Sequence, residues 1–286
     1  MTESPKTRAA RDAGCRVRRR VLLGAAGTGA ALLLAVSGVA EAVPAVPDGV
    51  LGAVGNSSSD LNLPDLLGAL PGLLSPGTQP AGTTRCDTVI QVGDSTSVAA
   101  DTAAMLPSAG DTAGAQYRRV GARNVTVDAL SGRAIVDGPG PDAKSAVATR
   151  LGRGERGCWV IAMGVNDAGA ISSGSSVDAD ARIDAVMRQL AGQPVLWPTI
   201  ASSNPQNRAF GSAAMAVFND ALRRATARYD DLAVYDWSAA ARPEMFTDGI
   251  HYTAAATAER NRRFADALAR AYPAGSGSTP AVRWIG

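Results

Sequence analysis

The chain is 286 residues long, 46% hydrophobic and 19% charged, with a formal net charge of +2. That length and apolar share suit one domain of about 200 residues with extensions rather than two full domains. Residues 1–42 hold seven Lys/Arg against three acids, a net +4, which leaves −2 for the remainder. A mildly acidic body lacks the clustered cations that nucleic acid requires of a partner.

The first 42 residues read as an export signal peptide. A basic segment ends at Arg18-Arg19-Arg20, an apolar stretch runs from Val21 to about Ala40, and Ala40-Glu41-Ala42 supplies a small-x-small cleavage pattern. Arg18-Arg19-Arg20-Val21-Leu22 also loosely fits a twin-arginine pattern. The alternative is an uncleaved membrane anchor, since the apolar stretch is about long enough to span a bilayer. Either way the expected location is secreted or in the cell envelope. Residues 43–85 are rich in Pro, Gly and Ser and read as a linker, with a short helix expected within 63–74.

From Cys86 onward, short apolar runs alternate with helical patterns. Strands are predicted at 86–92, 123–129, 158–163, 194–200 and 231–236. Helices are predicted at about 96–106, 141–151, 177–191, 207–228 and 254–271. The helical period is plain in Ile183, Val186, Met187 and Leu190, and again in Phe264, Leu268 and Tyr272. Such alternation predicts a five-stranded parallel sheet with helices on both faces. Residues 86–272 form the expected domain, and 273–286 read as a loose tail in which Trp284 and Ile285 could dock.

Cys15 lies in the leader, which leaves Cys86 and Cys158. Each immediately precedes an apolar run. If those runs are neighbouring parallel strands, the two thiols lie at the same end, and a Cys86–Cys158 disulfide is predicted. It fits an oxidising compartment. One histidine and a paired Cys set leave no zinc site, and no cofactor is expected.

Ligands bind outside the carboxyl ends of strands in parallel α/β sheets, and three motifs fall there. Ser95, in Gly93-Asp94-Ser95, follows the first strand at an expected helix start. Gly132, in Leu130-Ser131-Gly132-Arg133, follows the second, and Asn166, in Gly164-Val165-Asn166-Asp167, follows the third. The only histidine, His251, lies in Asp248-Gly249-Ile250-His251. Together these supply a hydroxyl nucleophile, an imidazole base, a carboxylate to fix its tautomer, and oxyanion donors. Asp94 and Asp167 read as carboxylates that hold their turns.

The constellation resembles the SGNH hydrolase family, also called GDSL-type esterases and lipases. Gly93-Asp94-Ser95 is similar to its first block, Gly132 to its second, Gly164-Val165-Asn166-Asp167 to its third and Asp248-Gly249-Ile250-His251 to its last. Thr96 stands where the name-giving motif has Leu. The resemblance implies a flavodoxin-like three-layer α/β/α sandwich. It also implies roles: Ser95 as nucleophile, His251 as base, Asp248 as its orienting acid, and Ser95, Gly132 and Asn166 as oxyanion donors.

The function expected is hydrolysis of carboxylic esters through an acyl-serine. Small, polar residues at 168–176 and 201–211 favour a short acyl group on a polar carrier such as an O-acetylated glycan, with cell-envelope association and a monomeric state. Two alternatives stand beside it. One is a cell-envelope O-acyltransferase using the same acyl-serine. The other is a non-catalytic envelope-binding module.

Overall fold

The computed structural model describes residues 82–138 and 140–286. The expected leader, and the linker up to residue 81 with its short helix, lie outside the described residues. Among the described residues, no helix is long and apolar enough to cross a membrane.

Five strands lie close to their predicted places: β1 (Thr88–Gly93), β2 (Asn124–Ala129), β3 (Cys158–Ala162), β4 (Val195–Pro198) and β5 (Leu232–Tyr235). All pair in parallel, and a sixth strand, β6 (Trp284–Ile285), extends the order to β2-β1-β3-β4-β5-β6. This corrects the expected five strands and the loose tail. The free edge of β5 offers unpaired N–H and C=O groups. The Val234 N–H takes the Arg283 carbonyl at 2.8 Å and the Asp236 N–H takes that of Ile285 at 2.7 Å. Ile285 is buried, and Arg223 stacks 3.7 Å over the Trp284 ring.

The helices are α1 (Ala113–Arg119), α2 (Ala143–Gly152), α3 (Val165–Ser172), α4 (Ala179–Met187), α5 (Ser212–Ala225), α6 (Trp237–Ala240) and α7 (Ala254–Ala271). Strand residues alternate between two cores, as a period of two requires. Ile90, Trp159, Ile161, Trp197 and Val234 pack with Val147, Ile183, Val186 and Phe218 on one face. Val89, Val160, Leu196 and Ala233 pack with Tyr117, Trp237, Phe264 and Leu268 on the other. The result is the three-layer α/β/α sandwich.

Three helices lacked a readable period. α1 and α6 span only 7 and 4 residues, about one or two turns, too short to show one. α3 occupies residues 165–172, much of which had read as a loop. The predicted helix at 96–106 is instead broken into 3-10 turns at Ser95–Ser97 and Ala103–Met105. Side chains there bind backbone in place of a helical ladder. Asp94 accepts from the Thr96 N–H at 2.9 Å, and Asp101 from the Gly114 N–H at 2.7 Å.

Cys86 and Cys158 are disulfide-bonded, with Cα atoms 5.6 Å apart. Cys158 aligns with Val89 across the β1–β3 pair, so the bond staples the amino ends of the two strands. Their carboxyl ends carry the candidate site. The bond closes a loop of sequence separation 72, which by loop-closure entropy stabilises by about 4 kcal/mol. Thermal melting with and without reductant is expected to show that loss, and coincident curves would refute it.

Candidate active site

Ser95 sits where β1 ends. A Cβ on Gly93 would lie 2.5 Å from the Ser97 Cβ, so only glycine allows the chain to turn this tightly. Asp94 is fully buried and holds the turn through Oδ1, which accepts from the Thr96 N–H at 2.9 Å and the Thr96 hydroxyl at 2.7 Å. Burial pushes its carboxyl above the usual range, while Thr96 and the Arg260 charge pull it down. Ser95 opens a single 3-10 turn of three residues. The helix expected to start at Ser95 is therefore reduced to this turn, which is too short to carry a helix dipole.

The segment between Phe246 and Tyr252 closes on itself. These two residues form a β-bridge, and the Thr247 N–H donates to the His251 carbonyl at 2.8 Å. Inside the loop, Asp248 Oδ1 accepts from the N–H groups of Ile250 at 2.9 Å and His251 at 2.8 Å. Gly249 has φ +86°, and a Cβ there would meet the Ser203 carbonyl at 2.5 Å. The turn brings Asp248 Oδ2 to 2.7 Å from His251 Nδ1. Nε2, on the opposite side of the ring, lies 2.9 Å from Ser95 Oγ, across 156 residues of sequence.

Burial raises the Asp248 carboxyl, but the hydrogen bonds from the His251 N–H, the His251 ring and the Ile250 N–H outweigh it and hold it at about 2. The site is open: the His251 side chain is 43% exposed and that of Asp248 54%.

Asn166 lies in the first turn of α3 and donates from Nδ2 to the Arg133 carbonyl at 2.9 Å. An amide has two N–H donors, so one remains for a ligand. Gly132 has φ +72°. Among the described residues, the N–H groups of Gly132 and Ser95 have no acceptor. Three donors thus sit at the ends of β1, β2 and β3.

Three buried arginines hold this assembly, and sequence reasoning missed all of them. Arg133 donates from Nη1 to the Asp128 carbonyl at 2.7 Å and to the Gly93 carbonyl at 3.3 Å, tying together the ends of β2 and β1. Its own carbonyl positions Asn166. Arg182 donates to Asp167 Oδ1 at 2.8 Å and to the Val136 carbonyl at 2.9 Å. Asp167 also accepts from the Ile135 N–H at 2.9 Å, so it joins the start of α3 to the loop that carries Gly132. Burial pushes the Asp167 carboxyl up to about 6, against the pull of the Ile135 N–H and Arg182. Arg260 donates to Ser97 Oγ at 3.2 Å beneath the Ser95 turn and stacks 4.4 Å from the Phe264 ring. Asp94 and Asp167 both hold turns.

No family model matches the chain, and no curated protein matches it. Solved structures do. A carbohydrate acetylesterase family member from Sinorhizobium meliloti superposes with a TM-score of 0.50 at 18% identity, over 64% of this chain and 97% of that one. The C-terminal catalytic domain of peptidoglycan O-acetyltransferase A from Streptococcus pneumoniae gives 0.45 at 18%, over 64% and 90%. An acetyl xylan esterase from Geobacillus stearothermophilus gives 0.47 at 13%, over 66% and 96%. At these identities the likeness is one of fold: the chain has the SGNH hydrolase fold, and the four motifs by which it resembles that family meet at the carboxyl ends of its strands.

Proposed function

We propose that this protein is a serine hydrolase of carboxylic esters. The observation that carries the reading is the continuous relay from Ser95 Oγ to His251 Nε2, and from Nδ1 to Asp248. In the first half-reaction, Ser95 Oγ attacks the acyl carbon while Nε2 takes its proton. The carbonyl oxygen becomes an oxyanion among the Ser95 and Gly132 N–H groups and the Asn166 amide. As the tetrahedral species collapses, the imidazolium returns that proton to the departing alcohol. Water then attacks the acyl-serine, giving its proton to Nε2, and the acid leaves as Ser95 is restored.

The substrate class proposed is a short acyl group, such as acetyl, on a glycan. The open triad supports it, because a bulky carrier can stand in solvent while its ester reaches Ser95. We place the protein outside the cytoplasm on the leader composition and the disulfide. A fluorophosphonate probe is expected to label Ser95 in the wild type. An unlabelled Ser95 would sink the hydrolase reading and leave a binding module. Product analysis with an added glycan acceptor separates hydrolysis from acyl transfer, since the two differ only in what enters second.

A further inference from the structure

Against the Asp94-Ser95 turn lies a small cavity of about 10 Å³, whose walls include Asp94, Tyr252 and Arg260. Two buried groups in those walls are unpartnered. Asp94 is fully shielded; its Oδ1 accepts from Thr96, but Oδ2 has no hydrogen-bond partner among the described residues. Arg260 is 4% exposed. Its Nη1 donates to the Thr96 carbonyl at 3.4 Å and the Ser97 hydroxyl at 3.2 Å, and its Nη2 to the Thr96 hydroxyl at 3.4 Å. Its Nε has no partner among the described residues. The Tyr252 hydroxyl accepts from the Trp237 indole N–H at 2.7 Å and keeps its own proton to donate.

Buried polar groups are costly to leave unsatisfied, and folded interiors satisfy them with protein or ordered water. The walls select the occupant. Asp94 Oδ2 needs a donor, whereas Arg260 Nε–H and the Tyr252 O–H need an acceptor. A metal cation would be repelled by the guanidinium and would donate no proton to Oδ2. An anion would face the Asp94 carboxylate. Water donates and accepts at once, and the cavity has about the volume that one water needs.

We propose that a single internal water bridges Asp94 Oδ2, Arg260 Nε and the Tyr252 hydroxyl, and holds the nucleophile and the base in register. Asp94 directly precedes Ser95, and Tyr252 directly follows His251. The water therefore ties together the two segments whose Oγ–Nε2 distance of 2.9 Å makes the relay. Arg260 fastens both to α7. These three are positioning residues that act on Ser95 and His251 and not on the ester. Their role in the reaction rests on the hydrolase reading; the water itself does not.

A crystal structure that shows ordered solvent is expected to place one water within about 2.7–3.2 Å of both Asp94 Oδ2 and Arg260 Nε. A cavity without density, or direct contact between the Asp94 and Arg260 side chains, overturns the site. Arg260→Lys keeps the cation but has no Nε. It is expected to lower kcat for 4-nitrophenyl acetate about 10-fold with KM within about 2-fold, because a small misplacement of reacting groups is costly. Tyr252→Phe, which removes one proton donor to the water, should lower kcat about 3-fold in the same way. Unchanged kcat in both variants, or a loss confined to KM, overturns the positioning role. The hydrolase reading fails in a different way: the wild type does not cleave the ester and the fluorophosphonate leaves Ser95 unlabelled, while the density still decides the water.

Discussion

Ser95→Ala and His251→Ala are each expected to lower kcat for 4-nitrophenyl acetate by on the order of 10⁴ to 10⁶-fold. The reason is geometric. His251 is the only histidine in the chain, and its Nε2 lies 2.9 Å from Ser95 Oγ, so no second imidazole can take the proton. Asp248→Asn keeps an acceptor for the Ile250 and His251 N–H groups, yet presents an amide to Nδ1 and favours the wrong tautomer. It should cost on the order of 10⁴-fold with little change in Tm. The Asp248 carboxyl sits at about 2. It therefore stays ionised through mild acid. Because its folded value lies below the usual 3.8, its contribution to stability is present above about pH 4 and is lost as pH falls toward 2. Activity within tenfold of wild type in Ser95→Ala would remove the acyl-serine mechanism altogether.

Arg182→Met should be the most damaging change away from the triad, lowering the unfolding free energy by about 3–5 kcal/mol. Arg182 and Asp167 are both shielded from solvent and lie 2.8 Å apart. Removing the cation leaves a buried carboxylate that burial already disfavours, and frees the Val136 and Val177 carbonyls that the guanidinium holds at 2.9 and 3.0 Å. For a domain of this size, a loss on that scale lowers Tm by about 10 °C or more. The pH dependence identifies the cause. The Asp167 pKa is raised in the folded state, to about 6, so its charge costs stability as pH rises from about 4 through 6. The deficit of Arg182→Met should therefore shrink on acidification, as Asp167 becomes neutral. Adding Asp167→Asn should restore part of the loss. A penalty below about 1 kcal/mol, or one independent of pH, would show that the pair is not what holds the Gly132 loop to α3.

What could be read from residues alone was whatever has a local cause. The apolar run Val89-Ile90-Gln91-Val92 marks a strand with two covered faces, and recurrence at Phe264, Leu268 and Tyr272 marks a helix with one. The Asp248-Gly249-Ile250-His251 turn is legible because its glycine, its capping carboxylate and its imidazole are near neighbours in sequence. The Cys86–Cys158 pairing followed from where two thiols stand relative to two strands.

Tertiary structure decided everything whose energy comes from distant partners. Among 28 Lys/Arg, nothing local distinguishes Arg133, Arg182 and Arg260 as the ones that lie buried. Their burial is tolerable only because carboxylates, carbonyls and rings from other elements surround them. β6 needed the open edge of β5, and the segment after Ser95 needed Asp94 and Asp101 to claim backbone groups that a helix would have used. The composition named His251 as the only imidazole available for the chemistry. Only folding could bring it across 156 residues to a hydroxyl, because that distance is set by packing of the sheet and α7 and not by any local preference of the chain.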